Sequence, residues 1–425
     1  MKKTLLILLI GVFASSHAQF KVQIETPGDF APQTVYFYTL DGSRDVLAGK
    51  AEKKQNAFTI NYPESYVGMM KAYFPEVNYS VEFISENNDV KMTLARNSNG
   101  TTQVVYHDLS NQAMDRVLNH ERKIESILPV LSQIQAFYQP SEAFYQALEK
   151  EQQNLSKALP DIKGHPFVSY YQEKQLQFLD ESASPKSPLE VQKFLSNTSS
   201  YLESSSLLRP ILVKYLSMVQ SSNAQASVDS LLNELNLESP RGQTVLAELI
   251  ELFDMYGMKE LKDNYLSKAN NLKCEINNRL SATIDVNAQT SVGAKFPNYE
   301  FQNPTKTTAK SLHDVNAKRK VIIFWSSTCK HCETDLPKFI PYYNRLKSQG
   351  IELIGLSLDT DKTRYEAKAD VYPWINDTEL RGWNSSFADT YNVKATPFYY
   401  VLDENNEILA KPDYANDVIE FLGIN

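Results

Sequence analysis

The hydrophobic period changes twice along this chain, and the changes mark three stretches that one fold cannot share. From Phe20 to His107 short runs alternate: Val22 and Ile24, Val35 and Phe37, Phe58 and Ile60, Val81 and Phe83, Met92 and Leu94, Val104 and Tyr106. Turn signals such as Pro27-Gly28-Asp29 and Asp41-Gly42-Ser43 separate them. Period two over short segments predicts antiparallel strands with one buried face, hence a small β-sandwich over 19–107. From Asp108 the spacing turns helical, with Ile127, Leu131 and Ile134 on one face and Val245, Leu249 and Phe253 on another. Prolines punctuate this stretch, and several suit the first turn of a helix, which predicts roughly six to eight helices in an all-α region over 108–285. Val286 to Lys295 reads as a linker or loose arm. Beyond it, Val321 to Trp325 and Ile351 to Leu358 are continuous apolar runs suited to buried parallel strands. Cys332 to Lys347 between them reads as a helix, Phe398 to Leu402 with Glu407 to Ala410 as a hairpin, and Ala415 to Leu422 as a closing helix. That order over 286–425 is a compact α/β plan.

The first residues bear on location. Met1, Lys2 and Lys3, the apolar run Leu5 to Phe13 and the small-x-small site Ser16-His17-Ala18 together predict a secretory signal peptide over 1–18. The run is short of the roughly 20 residues that a membrane-spanning helix needs. The expected mature chain is exported and not membrane-spanning. The 43 Lys and Arg against 51 Asp and Glu leave a net charge of −8, which argues against a nucleic-acid partner or broad attraction to anionic lipid.

An exported location matters for the three cysteines, because disulfides persist there. Cys329 and Cys332 are two residues apart, directly after a buried strand and where a helix begins. A Cys at a helix start sits among unpaired N–H groups that favour its thiolate, and a Cys three residues on lies within bonding reach. Thiol-disulfide exchange follows, with Cys329 attacking and Cys332 resolving. Half a zinc site and a plain disulfide are the structural alternatives. Zinc lacks a second Cys pair and has only His331 nearby, c-type haem would need His where Glu333 stands, and a peroxiredoxin would need Pro where Ile322 stands. No metal or cofactor beyond the cysteine pair is expected. Cys274 has no partner and is expected to be a buried, inert thiol.

The last 130 or so residues resemble the TlpA/ResA-like, AhpC/TSA-related branch of the thioredoxin superfamily. The resemblance rests on Val292 to Pro297, Phe324-Trp325 before Cys329-Lys330-His331-Cys332, Pro337, Gly382-Trp383, Tyr391 to Val393, and Ala395-Thr396-Pro397-Phe398. The upstream strands and helices resemble, more vaguely, the extra domains of exported Bacteroidetes members. The resemblance implies a periplasmic thiol-disulfide oxidoreductase that most often reduces disulfides in exported proteins, recharged by a membrane electron donor. It implies catalytic roles for Cys329, Cys332 and Pro397, a cis Thr396–Pro397 bond opposite the cysteines, and client contacts from Trp325, Lys330, His331 and Thr396. Thioredoxin's buried Asp is replaced by Ile323, and Asp335 stands where ResA-like members carry Glu, which makes Asp335 the expected proton acceptor. His331 resembles the corresponding residue of the oxidase DsbA. Cations beside Cys329 would raise the potential from about −270 mV towards about −120 mV. Oxidase or isomerase activity therefore stays open, as does a client-binding or chaperone-like protein with a structural cysteine pair.

Overall fold

A computed structural model describes residues 19–96, 101–155, 162–180, 186–219 and 223–424. The expected signal peptide lies outside them. Contacts divide the chain into two compact units, one formed by Met1–Leu40, Asp45–Glu76 and Ser80–Ala183, the other by Asp41–Arg44, Val77–Tyr79 and Ser184–Asn425.

The first unit contains eight strands: β1 (Phe20–Glu25), β2 (Thr34–Asp41), β3 (Arg44–Glu52), β4 (Ala57–Tyr62), β5 (Val67–Phe74), β6 (Tyr79–Glu86), β7 (Val90–Arg96) and β8 (Thr102–Tyr106). They form two four-stranded sheets, β4-β1-β7-β8 and β3-β2-β5-β6. In β1 the alternation is realised, with Phe20, Val22 and Ile24 facing inward. Two strands escaped the pattern. β3 is nearly all surface, with Leu47 59% exposed, and β5 alternates only until its last three residues, all of them buried. The pairing of β1 with β7 is parallel, not antiparallel as expected. Strand β1 sits inside its sheet, and only one of its two neighbours runs against it.

Helical structure follows from Leu109, which Asp108 caps by accepting the Asn111 N–H at 2.9 Å. Ten α-helices are described between Leu109 and Gln289, more than expected, because breaks such as Ile127 split long periodic runs. The face of Ile127, Leu131 and Ile134 is not a core face, since Ile127 and Ile134 are 42% and 37% exposed. The face of Val245, Leu249 and Phe253 is fully buried. It belongs to the helix Pro240–Met255, which starts with Ser239 accepting the Gly242 N–H and Pro240 in the first turn, and which is buried on all sides within the second unit.

The same unit holds a five-stranded mixed sheet of β9 (Arg319–Trp325), β10 (Ile351–Ser357), β11 (Ile375–Thr378), β12 (Phe398–Asp403) and β13 (Ile408–Ala410), in the order β11-β10-β9-β12-β13. β9, β10 and β11 are parallel, and β12 runs against β9. From Val321 onward β9 is apolar because both its faces are covered. Val321, Ile323 and Trp325 join one core with Cys332, Phe339 and Trp374, while Ile322 and Phe324 join another with Phe296, Tyr391 and Tyr400. β11 was unexpected because its buried residues Asn376, Asp377 and Thr378 are polar. The segment after Cys332 is no single helix: Lys330–Asp335 and Tyr343–Ser348 flank a tighter stretch, Leu336–Tyr342, that contains Pro337 and Pro341. Nor is 286–295 a loose arm. A helix runs to Gln289, then Gly293 and Phe296 donate to the carbonyls of Ile408 and Asn406, and the Phe296 ring stacks on Tyr391 at 4.2 Å.

Candidate active site

β9 ends at Trp325, and the next three residues form a loop that delivers Cys329 to the start of the helix Lys330–Asp335. Cys329 has extended backbone and caps that helix, its Sγ accepting the Cys332 N–H at 3.1 Å. The two cysteines form a disulfide with Cα atoms 5.2 Å apart. They differ in access: Cys332 is 1% exposed, whereas Cys329 is half-buried. The Thr396–Pro397 bond is cis, and the Thr396 carbonyl oxygen lies 3.2 Å from the Cys329 sulfur. Lys330 and His331 are exposed beside it.

Trp325 does not meet its expected role at the surface. It is 1% exposed and packs on Tyr365 and Tyr372, so it supports the cysteine loop from beneath rather than touching a client. Asp335 is also buried, and its carboxylate is fully engaged: Oδ2 accepts the Tyr399 hydroxyl at 2.7 Å and the Ala415 N–H at 2.9 Å, and Oδ1 the Lys338 ammonium at 2.7 Å. Burial pushes its pKa up, but the hydrogen bonds from Lys338, Ala415 and Tyr399 outweigh burial and hold it below the usual carboxylate value. Cys274 is half-buried, and Gln243 Nε2 donates to its sulfur at 3.4 Å.

Asp359 is a site residue that sequence reasoning missed. It is 3% exposed and follows β10, the parallel neighbour of the strand that carries the cysteines. Its carboxylate accepts Ser326 Oγ at 3.2 Å, Ser327 N–H at 3.0 Å, Ser327 Oγ at 2.6 Å and Ser357 Oγ at 2.5 Å. The loop before Cys329 thus hangs on one buried carboxylate. The available signal was positional: an acid just past the carboxyl end of a buried parallel strand, where α/β sheets build their sites. Among the described residues, no group of three His, Cys, Asp or Glu side chains could hold a metal ion.

Residues 292–412 match the model of the AhpC/TSA family. The C-terminal part of this chain is thus similar to the thiol-disulfide domains of the thioredoxin superfamily. Curated relatives include the thiol-disulfide oxidoreductases ResA of Geobacillus kaustophilus, 26% identical over 122 residues, and of Bacillus subtilis, 23% identical over 123 residues. Each alignment covers 28% of this chain and, respectively, 67% and 65% of the relative. Among solved structures, the thioredoxin domain of a Bacteroides vulgatus thiol-disulfide oxidoreductase is 22% identical, with 32% of this chain and 99% of that one covered and a TM-score of 0.28. A thioredoxin-like protein from Bacteroides caccae is 18% identical and aligns over 57% of this chain and 97% of its own, with a TM-score of 0.35. The match covers the thioredoxin-like fold with its close cysteine pair, and the strands and helices before residue 292 lie outside it.

Proposed function

We propose that the protein is an exported thiol-disulfide oxidoreductase that reduces disulfides in other periplasmic proteins. The observation that carries the reading is the asymmetry of the pair: a half-buried Cys329 sulfur at a helix start, against a Cys332 that is 1% exposed. In the reduced protein the Cys329 thiolate attacks one sulfur of the client disulfide. A mixed disulfide forms and the first client thiolate leaves. Cys332 loses its proton and attacks the Cys329 sulfur, which expels the second client thiolate and closes the internal disulfide. The client gains two electrons and the pair loses them. A membrane dithiol donor restores the reduced form. Pro397 and Thr396 wall the site, and Lys330 and His331 meet the client from the exposed side. Asp335 is the proposed acceptor for the Cys332 proton, by way of its place one turn along the same helix. The division into 19–107, 108–285 and 286–425 belongs to the same proposal, with the first two parts selecting the client.

The exposed imidazole of His331 favours a second reading, a disulfide oxidase or isomerase, because a cation beside Cys329 stabilises the reduced form. Equilibration of the full chain in dithiothreitol buffers separates the two. A potential near the thioredoxin value of about −270 mV supports reduction, one near about −120 mV supports oxidation, and a pair that never exchanges sinks both. Clients trapped as mixed disulfides on Cys332→Ala would show what the site acts upon.

A further inference from the structure

A cleft of about 440 Å³ opens beside the Cys329 sulfur. Ser326, Thr328, Thr396 and the segment Arg381 to Asn384 line it together with Cys329. Among the described residues at this cleft, Arg381 is the sole charged side chain and Trp383 the sole aromatic one. The chain has three tryptophans. Trp325 and Trp374 are 1% and 0% exposed, whereas Trp383 is 55% exposed. Its large aromatic surface thus stands in water at the cleft that also reaches Cys329.

The segment that presents these groups is held firmly. Gly382 donates its N–H to the Asp359 carbonyl at 3.3 Å, and Asn384 and Ser385 donate to the carbonyls of Arg381 and Gly382. Gly382 has a φ of 57°, and a Cβ there would lie 2.9 Å from Thr360 Cγ2, so glycine is required for this close approach. The charge of Arg381 is only loosely matched. Its ion-pair partner Glu379 is 3.7 Å away, and Glu379 gives its oxygens to the N–H and hydroxyl of Ser386. A guanidinium has five N–H donors in a fork that fits a carboxylate, and one long contact leaves most of that capacity for a ligand.

We propose that this cleft binds the client chain next to its disulfide and prefers a segment with an acidic side chain within about two residues of the cysteine under attack, because Arg381 is its one cation. The carboxylate pairs with Arg381 and the adjoining apolar surface rests on Trp383. A basic segment meets like charge at Arg381, and the exposed Lys330 beside Cys329 adds to the repulsion. This inference rests on the exchange reading above and names its substrate class.

The test uses the reduced full chain and short blocked peptides, linked as symmetrical disulfides, with Glu, Gln or Lys after the cysteine. Second-order rates of peptide thiol release are measured in single turnover, alongside the uncharged hydroxyethyl disulfide. The ratio of Glu to Lys rates in the natural protein is compared with that in Arg381→Glu and Arg381→Gln, so differences in intrinsic peptide reactivity cancel. The natural protein is expected to have a ratio higher than Arg381→Gln by roughly fivefold, the size of one partly exposed ion pair, and Arg381→Glu to shift it below that of Arg381→Gln. Raising the salt concentration should shrink the difference. Equal ratios in all three proteins, with hydroxyethyl disulfide still reduced, would overturn the acidic subsite and leave the exchange reading standing. No exchange with any disulfide, hydroxyethyl disulfide included, would remove the exchange reading and this inference together.

Discussion

Asp335 shows how much can hang on one short side chain. Its carboxylate ties the segment after Cys332 to β12 through Tyr399 and to the start of the helix Ala415–Phe421 through Ala415. Asp335→Ala strands a buried hydroxyl and a buried N–H, each costing about 1–3 kcal/mol, so urea unfolding should show a loss of roughly 2–6 kcal/mol. Asp335→Asn keeps one acceptor oxygen and should lose less. The proton-acceptor role makes a separate demand: in Asp335→Asn the release of client by Cys332 should slow while capture by Cys329 keeps its rate. Stopped-flow measurement of the two steps decides it, and equal rates of release in the two proteins would leave Asp335 as an anchor alone.

At the scale of elements, the site exists because two parallel strands end side by side. β9 and β10 run in register to Trp325 and Ser357, and Leu358 N–H still donates to the Trp325 carbonyl at 2.8 Å. The residues that follow each strand therefore meet. Gly355 makes room for the Trp325 ring, since a Cβ there would lie 2.8 Å from its Nε1. Asp359, just past β10, collects the N–H and hydroxyls of the loop that enters Cys329. Asp359→Ala is expected to slow alkylation of the reduced Cys329 by about tenfold, because the backbone that presents the thiolate is no longer fixed. Asp359→Asn, which keeps an acceptor oxygen, should recover part of the rate. Iodoacetamide rates across pH supply the measurement, and an unchanged profile in Asp359→Ala would restrict the carboxylate to fold stability.

At the scale of the whole molecule, the second unit carries a buried charge cluster built on Arg279, Glu248 and Glu251. Arg279 donates to Glu251 and Glu248 at 2.9 Å each, and Arg209 reaches the same two carboxylates. Burial pushes Glu251 up, but Arg279 outweighs it and holds the pKa down at about 2. A carboxylate whose folded value is depressed contributes stability above its unfolded value of about 4.3, and that contribution is lost as pH falls through the folded value. Thermal melts should therefore fall steeply between about pH 4.5 and pH 2. Arg279→Ala leaves two buried carboxylates poorly matched and should cost about 3–5 kcal/mol at pH 7. A variant with the natural stability at pH 7 would show that Arg209 alone suffices.

The amino-acid sequence by itself determined the three periods, the apolar strand before Cys329 and the spacing of the cysteine pair, because each depends on residues close together in the chain. Side-chain alternation and helical spacing are local consequences of backbone geometry. The resemblance of the last third to a known family was likewise carried by short contiguous motifs. Tertiary structure alone decided what depends on distant neighbours. β11 became a strand despite its buried polar residues because Gln302 and Asn303 donate their N–H groups to Asp377 and Thr378 donates its hydroxyl to the Ser357 carbonyl. Trp325 left the surface because Tyr365 and Tyr372 close over it. Asp359 and Arg381 joined the site because parallel strands and a glycine-bearing turn bring together residues that stand 30 and more positions from Cys329. Burial and hydrogen-bond satisfaction are properties of the packed chain, so no local pattern could announce them.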